Sequence, residues 1–130
     1  MSVQALLQQY IESPRLFQIA DKLSFAQPQK IYFQNLRGSS SQFLLASLFQ
    51  HPQGEQLNHL VICDDAEDAA YFHNTLENLT QALDLFYFPS SFKNKKNYRL
   101  LNSSHVMLRT EALTKIASGL NTSSGTVNKK

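Results

Sequence analysis

Between Asn35 and Gln42 the chain reads NLRGSSSQ, the stretch whose residue types come nearest to phosphate chemistry. An apolar run, Ile31-Tyr32-Phe33, leads into it. Phe43, Leu44, Leu45, Leu48 and Phe49 follow it at helical spacing. Strand, turn and helix in that order are the setting of a P-loop, G-x-x-x-x-G-K-[ST]. In a working loop the backbone N–H groups cradle phosphates, the lysine neutralises the β/γ charge, and the hydroxyl holds magnesium. Laid on that frame, Asn35 stands at the first glycine and Ser40 at the second, while Ser41 replaces the lysine and Gln42 the hydroxyl residue. Gly38 alone agrees with glycine-rich loops. A helix N-terminus, capped by Ser39 or Ser40, still favours an exposed anion by about 0.3–1 kcal/mol, far short of holding a triphosphate and its metal. Asn35, Gly38, Ser39, Ser40, Ser41 and Gln42 therefore read as a degenerate P-loop, with no catalytic and no cofactor-binding residue.

Three other groups of residues have types that bear on chemistry. Asp64-Asp65, after the run HLVIC, invites comparison with a magnesium-binding pair at a strand end. It closes the strand immediately after the P-loop-like helix, however, and Asp65 as a helix N-cap explains it. The histidines His51, His59, His73 and His105 show no H-x-x-x-H or Cys/His spacing. His59 and Cys63 would share one face of a strand, but two ligands without a third make no zinc site, so no metal is expected. The most basic stretch is Lys93-Asn94-Lys95-Lys96-Asn97-Tyr98-Arg99. Lys93, Lys95, Lys96 and Arg99 could make weak nucleic-acid contacts to phosphates, with Phe92 and Tyr98 stacking, but a solvated loop is the better reading.

The elements that must position these residues follow from the apolar pattern. Val3, Leu6, Leu7, Tyr10 and Ile11 predict a helix over 2–12, and Pro14 with Ser13 before it predicts a second over 14–23. From residue 30 the rhythm becomes α/β. Strands are predicted at 30–34, 59–65 and 84–89. Helices are predicted at 39–50, from Asp64 or Asp65 to about 82, and from about 104 to 118, where Gly119 ends the last one. His51-Pro52-Gln53-Gly54 ends the helix over 39–50. The expected fold class is α/β: a parallel sheet with flanking helices of the P-loop NTPase kind, degenerate and incomplete, preceded by a short helical pair.

The bulk numbers set limits. The 130 residues suit one domain with a modest core, and 42% hydrophobic with 17% charged residues is a globular composition. A net charge of +2 is too small to imply a nucleic-acid or membrane partner. One cysteine excludes a disulfide framework, and no apolar run is long enough to span a membrane. With no signal-peptide order at the N-terminus, a cytoplasmic location is expected.

The order of segments carries a resemblance. KIYFQNLRGSSSQFLLASLF is similar to a degenerate P-loop segment, HLVICDDAEDAAYFHNTLENL to the strand and helix that follow it, LFYFPSSFKN to a strand ending in an aromatic-Pro loop, and NSSHVMLRTEALTKI to a helix with Arg-x-x-x-Leu. In that order they resemble the N-terminal, UvrB-like region of the bacterial transcription-repair coupling factor family, closest to its Bacteroidetes branch. The resemblance covers about residues 28–120. It implies an N-terminal helical lead-in over 1–27 and a partial UvrB-like domain over 28–120, while the polar stretch 121–130 reads by its composition as a disordered tail.

The same resemblance implies a parent that removes stalled RNA polymerase at DNA damage with an ATP-driven translocase and recruits the UvrA-containing excision-repair machinery. ATP and magnesium would then belong to the parent's motor, and the parent's partners would be RNA polymerase, UvrA and double-stranded DNA. This piece would be a non-enzymatic scaffold without a cofactor, packed against the rest of its own protein and touching no membrane. Arg109 would be an interdomain contact or an ordinary surface arginine. The alternative is a small free-standing α/β nucleotide- or phosphate-binding enzyme using the Gly38–Ser41 turn and Asp64/Asp65.

Overall fold

The computed structural model describes residues 1–24, 27–80, 85–90 and 103–125, with side chains as far as 119 in the last helix. The described helices are α1 (Val3–Ile11), α2 (Pro14–Leu23), α3 (Ser40–Gln50), α4 (Pro52–Glu55), α5 (Ala66–Thr80) and α6 (Ser103–Gly125). They belong to two compact units. The first is Met1–Ile62 with Asn74–Leu83, and the second is Cys63–His73 with Asp84–Lys130, so α5 contributes a part to each.

The first unit is built on α3. The Ser2 hydroxyl starts α1 by accepting from Ala5 N–H at 3.1 Å. Leu7, 1% exposed, is the buried residue of that helix, and Tyr10 stacks on Phe43 of α3 with centroids 5.5 Å apart. Pro14 opens α2, where its missing N–H costs nothing, while Ser13 holds the extended capping conformation without a side-chain bond. Leu16 and Ala20 of α2 meet Leu48 of α3, with Ile19, Leu23 and Leu44 packed around them. Burying a leucine such as Leu16 stabilises the unit by about 1.5–3 kcal/mol.

Helix α3 turns a small face inward, for Ala46 and Ser47 have no exposed surface. The Ser47 hydroxyl is satisfied within the helix, donating to Phe43 O at 2.7 Å. At the end of α3 the backbone becomes extended at His51 and at once re-enters a helix through Pro52. Gly54 of α4 lies so close under Leu48 that a Cβ placed there would collide with the Leu48 carbonyl oxygen. The first unit also takes in the end of α5, with Leu76, Leu79 and Thr80 buried and Thr80 Oγ1 donating to Leu76 O.

In the second unit, α5 begins at an Asp65 cap whose Oδ1 accepts from Asp68 N–H at 2.8 Å, with Glu67 and Asp68 in the first turn against the helix dipole. Tyr87 donates from its hydroxyl to Ala66 O at 3.2 Å and tilts against His73 at 5.7 Å. Ala112 is the buried residue of α6.

The expected α/β class is overturned. Among the described residues there is no strand, and the structure is all-helical. Segments 30–34 and 59–63, with the described part of 84–89, carry no regular structure. Tyr32 is 82% exposed, Leu60 86% and Ile62 85%, the reverse of a sheet buried on both faces. The physical reason is that an apolar run is a local property, whereas a parallel ladder needs hydrogen-bonding neighbours distant in sequence.

Two helix boundaries also differ from expectation. His51-Pro52-Gln53-Gly54 does more than stop α3, because it nucleates α4. Helix α6 runs through Gly119 and into the segment read as a tail, as far as Gly125. Of the apolar residues of α6, Met107, Leu113 and Ile116 are all more than half exposed, Leu108 is half-buried and Ala112 is buried.

The Gly54 seat generates a direct test. Gly54→Ala is expected to destabilise the protein by about 1–3 kcal/mol, the range of overpacked sites, read as a lower urea midpoint at unchanged slope. An unchanged midpoint would mean that α4 does not lie against the Leu48 carbonyl.

Candidate functional site

The Gly38 turn stands where the sequence places it, at the entrance to α3. Arg37 O accepts from Ser40 N–H at 3.2 Å, closing a four-residue turn. Gly38 has φ +56° at its first central position, and Ser39 follows with φ −83° and ψ 11°. Positive φ there is the requirement of a type II′ turn, which explains why this position is a glycine. Asn35, three residues earlier, is also left-handed at φ 61°, a conformation that asparagine tolerates better than most residues.

The hydroxyls of this turn are engaged with their own chain. Ser40 Oγ donates to Arg37 O at 2.6 Å, and Ser41 Oγ donates to Gln42 Oε1 at 2.9 Å. Gln42, which stands where a metal-binding hydroxyl would be, is buried at 5% exposure. Ser39 occupies the N-cap position but makes no side-chain cap bond. The turn thus presents a helix N-terminus and an exposed Arg37, which together suit weak attraction of an anion. A Lys at the phosphate end and a hydroxyl for magnesium are missing from the sequence itself.

Asp64 and Asp65 part company. Asp65 is the cap of α5, as its bond to Asp68 N–H requires, and Asp64 is exposed. Just before them lies half-buried Cys63, a free thiol. Burial raises its pKa above the usual thiol value, and the nearby negative charges of Asp68, Asp64 and Asp65 act in the same direction. A thiol held in its protonated form is the opposite of an activated nucleophile.

The histidines are occupied in different ways. His51 Nδ1 accepts from Gln53 N–H at 3.3 Å, and His59 Nε2 donates to Gly54 O at 2.7 Å while its ring tilts on Phe49 at 4.5 Å. The strand face that His59 and Cys63 were expected to share is not formed. Among the described residues, no three His, Cys, Asp or Glu side chains gather into a group that could hold a metal ion. The basic stretch with Lys93, Lys95, Lys96 and Arg99, together with Phe92 and Tyr98, lies outside the described residues. No described helix is long and apolar enough to cross a membrane.

Arg109 has a role that the sequence alone left open. Its Nη1 donates to Pro89 O at 2.7 Å, and its guanidinium sits 4.2 Å from the centre of the Phe88 ring. It therefore ties α6 to the Phe86–Pro89 segment within the second unit, where Lys115 also approaches the Phe86 ring at 5.9 Å. The aromatic run FYFP was the available signal, since stacked arginines favour such surfaces. His51 was signalled too: a residue before proline is extended and can cap the helix that the proline begins.

Compared with known proteins, the chain matches no family model, no curated protein and no solved structure.

The environment of Cys63 makes a prediction about its reactivity. A raised pKa leaves the thiolate scarce at neutral pH and more abundant only as pH rises, so alkylation by iodoacetamide near pH 7 is expected to be slower in the folded chain than in the urea-unfolded one. Removing one of the charges, in Asp68→Asn, should speed labelling of the folded protein. Equal rates in the folded and unfolded chains would contradict the assignment.

Proposed function

We propose that this chain is a non-catalytic positioning module of a transcription-repair coupling factor: a piece of a protein whose ATP-driven translocase acts on stalled RNA polymerase and whose parent recruits UvrA-containing repair machinery. The observation that carries this reading is the order of segments between residues 28 and 120, including a turn at Gly38 that keeps the place of a P-loop but lacks its lysine and hydroxyl. The proposal takes over that order and leaves aside the parallel sheet that came with it. In support, the two hydroxyls of the turn whose bonds are given, those of Ser40 and Ser41, are spent on Arg37 O and Gln42 Oε1. Work of this kind is structural: the helical first unit presents a fixed surface to the rest of its own protein. Motor ATP, magnesium, DNA and RNA polymerase then belong to the parent and not to this segment.

Thermal unfolding with magnesium and ATP tests the non-catalytic half of the proposal. No rise in Tm is expected with ATP in the micromolar range, whereas a ligand at 100 times its Kd would stabilise the fold by about 2.7 kcal/mol. A clear rise at micromolar ATP would support the nucleotide-binding enzyme instead. Peptide mapping of the native gene product tests the parentage. Peptides of a motor with an intact G-x-x-x-x-G-K-[ST] loop are expected on the same polypeptide, and their absence would overturn it.

A further inference from the structure

Helix α4 has a histidine bonded near each end, and the two bonds respond differently to a proton. At the N-terminal end, His51 is buried at 9% exposure, and its Nδ1 accepts from Gln53 N–H at 3.3 Å. A backbone N–H can only donate, so Nδ1 must carry a lone pair, and the bond exists only with the neutral ring. At the other end, the His59 ring nitrogen bonded to Gly54 O faces a carbonyl and must carry the proton. That bond survives protonation, and a positive ring beside the last carbonyls of a helix is favourable.

We propose that His51 is a proton-sensitive latch: protonation of its ring releases the cap of α4 and loosens the corner where α2, α3 and α4 meet. Protonation removes the acceptor of Gln53 N–H and places positive charge against the positive end of the helix. The corner has little to compensate. Gln53 Oε1 is already buried without a hydrogen-bond partner, and Gly54 is seated under the Leu48 carbonyl with no room to shift inward. The His51 ring also meets the Phe17 ring of α2 edge-on at 5.4 Å, so its displacement reaches α2 directly.

The charged groups on the packed elements are few. Helix α3 carries none, α4 carries Glu55, and α2 carries Arg15, Asp21 and Lys22, all exposed; His59 is the other titratable ring of the corner. Asp21 lies one helical turn beyond Phe17 and is the group that would favour a charged ring, but its exposure leaves it screened. The sign is therefore set by the lost cap. The contribution of His51 to the corner is present while Nδ1 keeps its lone pair and is lost when the ring takes up a proton.

Amide hydrogen exchange in the full chain, corrected for the intrinsic pH dependence of exchange, reads the latch at Gln53. Protection there is expected to fall about fivefold between about pH 7.5 and 5.5, the factor that a typical cap implies. In His51→Asn, whose side chain caps without titrating, the fall should vanish, while in His59→Gln it should remain. A flat profile in the native protein, or an equal fall in His51→Asn, would overturn the proposal. Should His51→Asn fail to fold, the nitrogen NMR shifts of His51 in the native chain decide it. An unprotonated Nδ1 near pH 7.5 is expected, and a protonated Nδ1 would overturn the latch.

Discussion

Ser47 and Ala46 have no exposed surface, and this close inward face of α3 is the constraint on which the first unit depends. A bulkier pair there would hold its neighbours at a distance. With small side chains, and with the Ser47 hydroxyl satisfied inside the helix, α3 can be packed on several sides without leaving a buried polar group unpaired. Leu7 of α1 and Leu16 with Ala20 of α2 are buried in the same unit, and Gly54 closes α4 under Leu48. Interiors packed this densely feel a change of a single methyl group.

The chemistry near the Gly38 turn is subordinate to that packing. Gln42 occupies the position where a nucleotide site would place a hydroxyl, and it is buried, with its Oε1 accepting from Ser41. Gly38 itself is explained by backbone geometry, because a positive φ at this turn favours glycine whether or not any ligand is present. Likewise Asp65 is explained by the cap it makes, and Arg109 by Pro89 O and the Phe88 ring. Each of these residues first drew notice for possible catalysis or contact with partners. In each case a bond or a backbone conformation within the chain accounts for its place.

Much of the helical part was legible in the sequence. Pro14 marked the start of α2, periodic apolar residues marked α3, and the cap at Asp65 marked α5, because these signals act over one or two turns of chain. What could not be read depended on distant partners. Ile31-Tyr32-Phe33 and Leu60-Val61-Ile62 are apolar enough for strands, yet no ladder forms among the described residues, and several of these side chains face outward. The extension of α6 through Gly119 was equally illegible, since glycine and serine are poor helix formers and signal a stop. Of the candidate site, the turn at Gly38 and the cap at Asp65 were visible, whereas the FYFP run and the His51-Pro52 pair only hinted at the ties of Arg109 and His51, whose partners the structure supplies.

The all-helical reading is tested most directly by hydrogen exchange at the backbone amides of residues 31–34 and 60–63. Without a ladder these amides have no β partners, so exchange near the unprotected rate is expected, while amides in the middle of α3 are held at close to the global stability. Protection of 31–34 and 60–63 comparable to that of α3 would contradict it, because it would require paired strands, of which the described residues have none.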